Sequence, residues 1–156
     1  FSVIRGNLSE IKNIAGIKVV TKGVDTSEIG DTSSKMEEEK EIAQQLSKKL
    51  NAVIAITGEV DCVSSKDKNY YIANGHKILS EITGTGCMCS SLIGSFCGAE
   101  SDYLMAAVAG IASMGIAGEI AYEKTKNLGI GSFKASLMDS IYNLDLNIYK
   151  ERSKIY

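Results

Sequence analysis

Apolar and polar positions along the chain fall into blocks, and each block has the spacing of a particular element. Residues 1–4, Phe1-Ser2-Val3-Ile4, read as a buried strand already in progress that ends in Arg5-Gly6-Asn7. No methionine or polar lead-in precedes this strand, so further sequence is expected upstream. Asn7-Leu8-Ser9-Glu10 then supplies an N-cap residue with an acid three positions on, which predicts a short helix stopping near Gly16. Residues 17–20 suit a short strand and residues 24–34 a polar loop. Met36, Ile42, Ala43 and the segment 46–50 mark one face of an amphipathic helix over 36–50. The apolar run 52–56 follows at once, as expected of a central parallel strand. Segments 61–64 and 70–73 predict antiparallel strands around the polar turn 65–69. From Cys87 onward the pattern is helical, over 87–97, 102–126 and 132–149, with breaks at Gly98-Ala99 and 127–131. Strands early and helices late predict the second half of a larger α/β layer fold.

Composition narrows the function classes. The 156 residues are 44% hydrophobic and 23% charged, ordinary for a globular domain with a real core. A net charge of −2 argues against a broad electrostatic surface for nucleic acid or anionic membrane. The apolar stretch 103–121 is long enough to raise a membrane span. Its Gly110, Ser113, Gly115, Gly118 and Glu119 fit a buried helix rich in small residues better. Cys62, Cys87, Cys89 and Cys97 form no C-x-x-C pair and His76 is the sole histidine, which disfavours zinc. Reduced thiols in a cytoplasmic protein are the expectation.

The strongest chemical signal is Thr83-Gly84-Thr85-Gly86-Cys87. Gly84 and Gly86 permit backbone angles that strain other residues, and they let a ligand approach the main chain. A helix follows directly, so the amides of Gly84, Thr85, Gly86 and Cys87 should face outward with the positive helix end, an arrangement that binds anions. The segment is not a P-loop, since no G-x-x-x-x-G-K-[ST] occurs, and G-x-G-x-x-G fails at Cys89. A thiol phosphatase would want an arginine soon after its cysteine, and none occurs before Arg152. The competing reading is a tight loop before a core helix. Cys87, in the first helical turn, is placed to act as a base or polar partner for a substrate hydroxyl. Cys89 and Cys97 suit small buried hydrophobes instead.

Arg5 ends a strand at the edge where open α/β sheets bind ligands, so it is placed to grip nucleotide phosphate or to form a surface ion pair. Glu10 can hold Mg²⁺ through water or cap its own helix. Thr57, after a central strand, can meet a nucleotide or simply turn the chain. Asp61 can orient amides in that turn, and residues 66–68 read as a solvated hairpin tip.

Taken in order, Val3-Ile4-Arg5-Gly6-Asn7-x-Ser9-Glu10-Ile11, Gly23-Val24-Asp25, Thr57-Gly58-Glu59-Val60-Asp61, Asn74-Gly75-His76, Thr83-Gly84-Thr85-Gly86-Cys87, Gly115-Ile116-Ala117-Gly118-Glu119 and Gly131-Ser132-Phe133 resemble the hydroxyethylthiazole kinase family. Relatives in the wider ribokinase-like superfamily usually carry aspartate at the position of Cys87. The resemblance implies a ribokinase-like layered fold, with a central, mostly parallel sheet flanked by helices. It also implies transfer of phosphate from ATP, with Mg²⁺, to the alcohol of 4-methyl-5-(2-hydroxyethyl)thiazole in thiamine salvage. Other acceptors (pyrimidine, pyridoxal or sugar alcohols) and a non-catalytic nucleotide-binding module remain alternatives. By the same resemblance Arg5 and Thr57 contact ATP, Gly84 the thiazole alcohol, and Glu10 the metal, while Cys87 stands at the catalytic-base position. Gly84, Thr85 and Gly86 line the anion hole. Residues 1–156 then form the C-terminal nucleotide-binding part of a single-domain kinase, without the N-terminal half that supplies most of the acceptor pocket. Family members are homotrimers with sites near subunit boundaries. Where the family commonly reads G-P-G-S-F, this chain has Gly129-Ile130-Gly131-Ser132-Phe133.

Overall fold

Strand β1 (Val3–Gly6) runs straight into helix α1 (Leu8–Ala15) through a complete capping box. The Asn7 side chain accepts from the Glu10 amide at 2.9 Å, and Glu10 Oε2 accepts from the Asn7 amide at 2.7 Å. The helix closes at Gly16, where the pattern placed its end. These features come from a computed structural model, which describes residues 1–17 and 32–156. Most of the strand expected at 17–20, most of the loop at 24–34, and Gly23-Val24-Asp25 lie outside the described residues. The chain divides into two units, Phe1–Tyr70 and Tyr71–Tyr156.

In the first unit, helix α2 (Thr32–Leu50) begins slightly earlier than expected and is followed by β2 (Val53–Ile56). The four residues of β2 are fully buried, and α2 contributes Ala43 and Leu46 to the same core. Strands β3 (Asp61–Ser65) and β4 (Lys68–Ile72) complete a sheet of order β1-β2-β3-β4, the unit boundary falling within β4. The expected mostly parallel sheet is instead mixed. β1 and β2 pair in parallel, whereas β2 and β3 are antiparallel. Connection length decides this. A long crossover containing α1 and α2 separates β1 from β2, but residues 57–60 are too few to carry a parallel return.

In the second unit, a 3₁₀ helix (Lys77–Glu81), unforeseen in the pattern, leads to helices α3 (Thr85–Ala99) and α4 (Tyr103–Thr125). Helix α4 satisfies the length and composition test for a membrane span, yet 78% of its most apolar window is buried inside the protein. The single helix expected at 132–149 is two, α5 (Ile130–Tyr142) and α6 (Leu146–Arg152). Side chains that compete for backbone groups make the break. Asn143 Nδ2 donates to the Asp139 carbonyl at 2.6 Å, and Asp145 Oδ1 caps α6 by accepting from the Ile148 amide at 2.8 Å. After α6 the chain returns along β4. Ile155 bridges Ile72, and Tyr71 and Tyr156 exchange backbone hydrogen bonds of 2.7 and 3.0 Å.

Helix α4 buries so much because its glycines admit neighbours at close range. A Cβ at Gly110 would lie 2.8 Å from the Ile93 backbone, and one at Gly115 would lie 2.5 Å from the Asn74 carbonyl oxygen. Backbone cannot swing aside as a side-chain tip can, so Gly115→Ala should lower stability by about 1–3 kcal/mol, the range for overpacking. Urea unfolding of the full-length protein would measure it. An unchanged midpoint would show that α4 is not held against Asn74.

Candidate active site

The first unit gathers its candidates at the carboxyl ends of β1 and β2. Parallel register sets Arg5 opposite Ala55 and Gly6 opposite Ile56, so the residues leaving both strands emerge side by side. The Thr57 amide donates to the Gly6 carbonyl at 2.9 Å, and Arg5 Nη2 donates to Thr57 Oγ1 at 2.8 Å. Arg5 and Thr57, chosen separately along the sequence, are thus in direct contact. Arg5 Nε is buried without a hydrogen-bond partner among the described residues. Leaving such a donor unsatisfied costs about 1–3 kcal/mol, and an oxyanion would remove that cost. The surface ion pair considered for Arg5 does not occur among the described residues.

Asp61 fastens the turn after β2, as expected: its Oδ1 accepts from the Gly58 amide at 2.9 Å. Burial pushes the Asp61 carboxyl up to about 7, with Glu39 adding to the rise. The Gly58 amide and Arg5 oppose that rise without reversing it. Glu10 serves in its capping box through Oε2, which leaves Oε1 outside that box. Among the described residues no group of three or more histidine, cysteine or acidic side chains could hold a metal. The Glu10 Oε1 left outside the capping box is a hard oxygen donor of the kind that suits Mg²⁺. Residues 66–68 are exposed as expected, although Asp67 pairs with Lys48 at 2.7 Å.

The second unit carries the Gly-rich turn. Gly84 stands at the N-cap of α3 with φ +101°, a left-handed conformation in which a Cβ is disfavoured. Gly86 was expected to need similar freedom but lies in the first turn of α3, without positive φ. No side chain caps α3. The first backbone bond into the helix runs from the Met88 amide to the Gly84 carbonyl at 2.9 Å. The amides of Thr85, Gly86 and Cys87 therefore precede the bonded ladder and keep their donors for another acceptor. Thr85 anchors the turn from below, its hydroxyl donating to the Leu79 carbonyl at 2.9 Å and the Ile82 carbonyl at 3.1 Å. Cys87 is exposed while Cys89 is buried, which separates them as expected; Cys97 is only half-buried.

Sequence reasoning quoted Asn74-Gly75-His76 and Glu119 without assigning them work. Glu119 Oε1 accepts from the Gly75 amide at 3.0 Å, Asn74 Nδ2 at 3.3 Å and Lys154 Nζ at 3.0 Å. Asn74 also donates to the Arg152 carbonyl at 2.8 Å and accepts from the Lys154 amide at 2.7 Å. A polar residue that ends a predicted strand just before a glycine was the available signal.

The guanidinium at the strand ends of the first unit and, separately, the glycine-opened helix start of the second are features of an α/β protein whose chemistry is compatible with anions. Comparison with known proteins makes the class specific. The model of the Hydroxyethylthiazole kinase family matches residues 1–147. A hydroxyethylthiazole kinase of Clostridium tetani (strain Massachusetts / E88) is 54% identical over 156 residues, covering 100% of this chain and 57% of that protein. Another, from Clostridium botulinum (strain Eklund 17B / Type B), is 51% identical over 153 residues, covering 98% of this chain and 55% of the relative. Among solved structures, that of a hydroxyethylthiazole kinase protein from Pyrococcus horikoshii OT3 superposes with a TM-score of 0.83 at 31% identity, over 99% of this chain and 54% of that one. The chain belongs to the hydroxyethylthiazole kinase family. It spans about half the length of the curated relatives it matches.

The raised Asp61 carboxyl has a consequence for stability. Its folded value near 7 exceeds the ordinary 3.8, so between these values the folded state holds the proton that the unfolded state releases. The stabilisation is complete below about pH 4 and is lost as the pH rises through about 7. Asp61→Asn keeps an oxygen for the Gly58 amide and cannot ionise. Urea midpoints of the full-length variant should fall less steeply from pH 5 to 8 than those of the parent. Parallel pH profiles would show that Asp61 is ionised throughout.

Proposed function

We propose that the full-length protein transfers the γ-phosphoryl group of ATP to the hydroxyl of 4-methyl-5-(2-hydroxyethyl)thiazole, a step of thiamine salvage. This chain is then the C-terminal, nucleotide-binding part of a single-domain enzyme with a ribokinase-like layered fold, and the upstream half supplies most of the acceptor pocket. The observation that carries the reading is the uncapped start of α3, where three amides lack acceptors among the described residues and Cys87 is exposed in the same turn. Membership of the family supports the choice of acceptor.

Each residue has a task set by its chemistry. Arg5 and Thr57 bind ATP, the guanidinium through charge-assisted hydrogen bonds to phosphate and the threonine through its hydroxyl. The amides at residues 84–87 hold the oxygens of the phosphoryl group as negative charge shifts during transfer. Gly84 also borders the thiazole alcohol. The thiolate form of Cys87 takes the proton of that alcohol to become the thiol as the alcohol oxygen bonds to phosphorus, and the bridging oxygen leaves with ADP. Glu10 would hold Mg²⁺ through its remaining oxygen, and the bound ion would offset phosphate charge. Exposure of Cys87 fits a reducing, cytoplasmic setting, and the family resemblance favours a homotrimer.

Full-length protein incubated with ATP, Mg²⁺ and a panel of thiazole, pyrimidine, pyridoxal and sugar alcohols should phosphorylate the thiazole alcohol preferentially. Preference for another acceptor by orders of magnitude would replace the substrate, and failure to bind ATP in calorimetry would favour a structural, non-catalytic role. In the same assay Cys87→Ala should lower kcat about 100-fold with little change in ATP affinity. Arg5→Met should instead raise the KM for ATP about tenfold. Equal losses in both parameters for Cys87→Ala would assign the thiol to loop structure. Residues 1–156 by themselves should show no turnover.

A further inference from the structure

We propose that Glu119 is a positioning residue for phosphoryl transfer, holding the chain that leads to Gly84 against a moulded face of α4. The inference rests on the functional reading above. Gly115, Gly118, Glu119 and Tyr122 are spaced i, i+3, i+4 and i+7, so they share one face of the helix. Each meets a successive part of the segment from Asn74 to Leu79. Gly115 receives the Asn74 backbone, where a Cβ would approach the carbonyl carbon to 2.6 Å. Glu119 takes the Gly75 amide and the Asn74 amide group on one oxygen. Tyr122 stacks on His76 with ring centroids 3.6 Å apart and 18° between planes. Gly118 receives the Leu79 side chain, which would lie 2.7 Å from a Cβ there.

That segment sets the anion cradle. His76 caps the 3₁₀ helix, its Nδ1 accepting from the Ile78 amide at 3.3 Å and its carbonyl from the Leu79 amide at 3.0 Å. The Leu79 carbonyl then accepts from the Thr85 hydroxyl, whose own amide is the first at the start of α3. Glu119 thereby reaches the cradle through Gly75, the 3₁₀ helix and Thr85. Gly75 lies at φ +140°, so the backbone there has wide alternatives once its amide is released. The second tie on Glu119, from Lys154 Nζ at 3.0 Å, joins the C-terminal segment to the same carboxylate.

On the proposed reading Arg5 and Thr57 hold ATP while the cradle acts on the transferred group, so a change in cradle geometry should lower chemistry more than nucleotide affinity. Glu119→Ala in the full-length protein should lower kcat about 10- to 100-fold while the dissociation constant for ATP changes less than threefold. Glu119→Gln keeps an oxygen for the Gly75 amide and should retain most of kcat, despite losing the charge opposite Lys154. Glu119→Asp, with its acceptor drawn back by one methylene, should fall between them and serves if the alanine variant does not fold. Hydrogen exchange at Gly75 and Thr85 to Cys87 provides a readout without turnover, and should quicken in the alanine variant only. Undisturbed kcat and exchange in Glu119→Ala would overturn the proposal, as would equal losses for the glutamine and alanine variants. A parent protein inactive on thiazole alcohol would sink the functional reading, and the exchange measurement would still decide whether Glu119 sets the cradle.

Discussion

A helix cannot satisfy its own first amides, and among the described residues nothing satisfies those of α3. Capping by serine, threonine, asparagine or aspartate is the usual remedy, and α1, α4 and α6 use it through Asn7, Asp102 and Asp145. At α3 the N-cap is Gly84, which offers no side chain at all. The nearby threonine hydroxyl that could have capped from inside is turned away, since Thr85 spends its proton on the Leu79 and Ile82 carbonyls. Helix α5 also starts at a glycine, Gly129, without a side-chain cap, so the left-handed backbone of Gly84 and the exposed Cys87 in the first turn, rather than the missing cap, set α3 apart.

The same chain shows how a glycine pattern becomes shape. Gly110, Gly115 and Gly118 remove side chains from α4 where Ile93, Asn74 and Leu79 approach. Their absence lets backbone pack against backbone, and it explains why an apolar helix of membrane-spanning length is a core element here. Buried apolar area stabilises this arrangement without specifying it closely. The bonds from Asn74 and Gly75 to Glu119 supply direction, because a carboxylate oxygen can serve several donors only from a narrow set of positions.

Much of this was legible in the residues, for identifiable reasons. The capping box at Asn7 and Glu10, the buried run of β2 and the apolar character of α4 are local patterns that tertiary structure kept. The central parallel strand read at 52–56 pairs in parallel with β1 as expected, whereas the mostly parallel sheet implied by the family resemblance fails at β3, where the short link at 57–60 forces an antiparallel turn. The helix break at Asn143 and Asp145 was missed because the apolar spacing continues through it, while the deciding bonds are made by polar side chains. Contact between Arg5 and Thr57 depends on strand register, which no single segment encodes. The work of Glu119 depends on three donors from distant positions and was invisible for the same reason.

Arg5 illustrates how electrostatics at a strand end can favour a visitor over a resident. A permanently ionised partner would neutralise the guanidinium and hold it in place. Among the described residues the guanidinium donates to a neutral hydroxyl, that of Thr57, and its buried Nε has no partner. The carboxyl that acts on it, Asp61, is kept by burial at about 7, so near neutrality it carries only part of a negative charge. Full ionisation of Asp61 would add a resident negative charge acting on the guanidinium. Partial protonation lessens that charge while the carboxyl still accepts from Gly58. Burial of an acid thus leaves a cation receptive, with no second cation required.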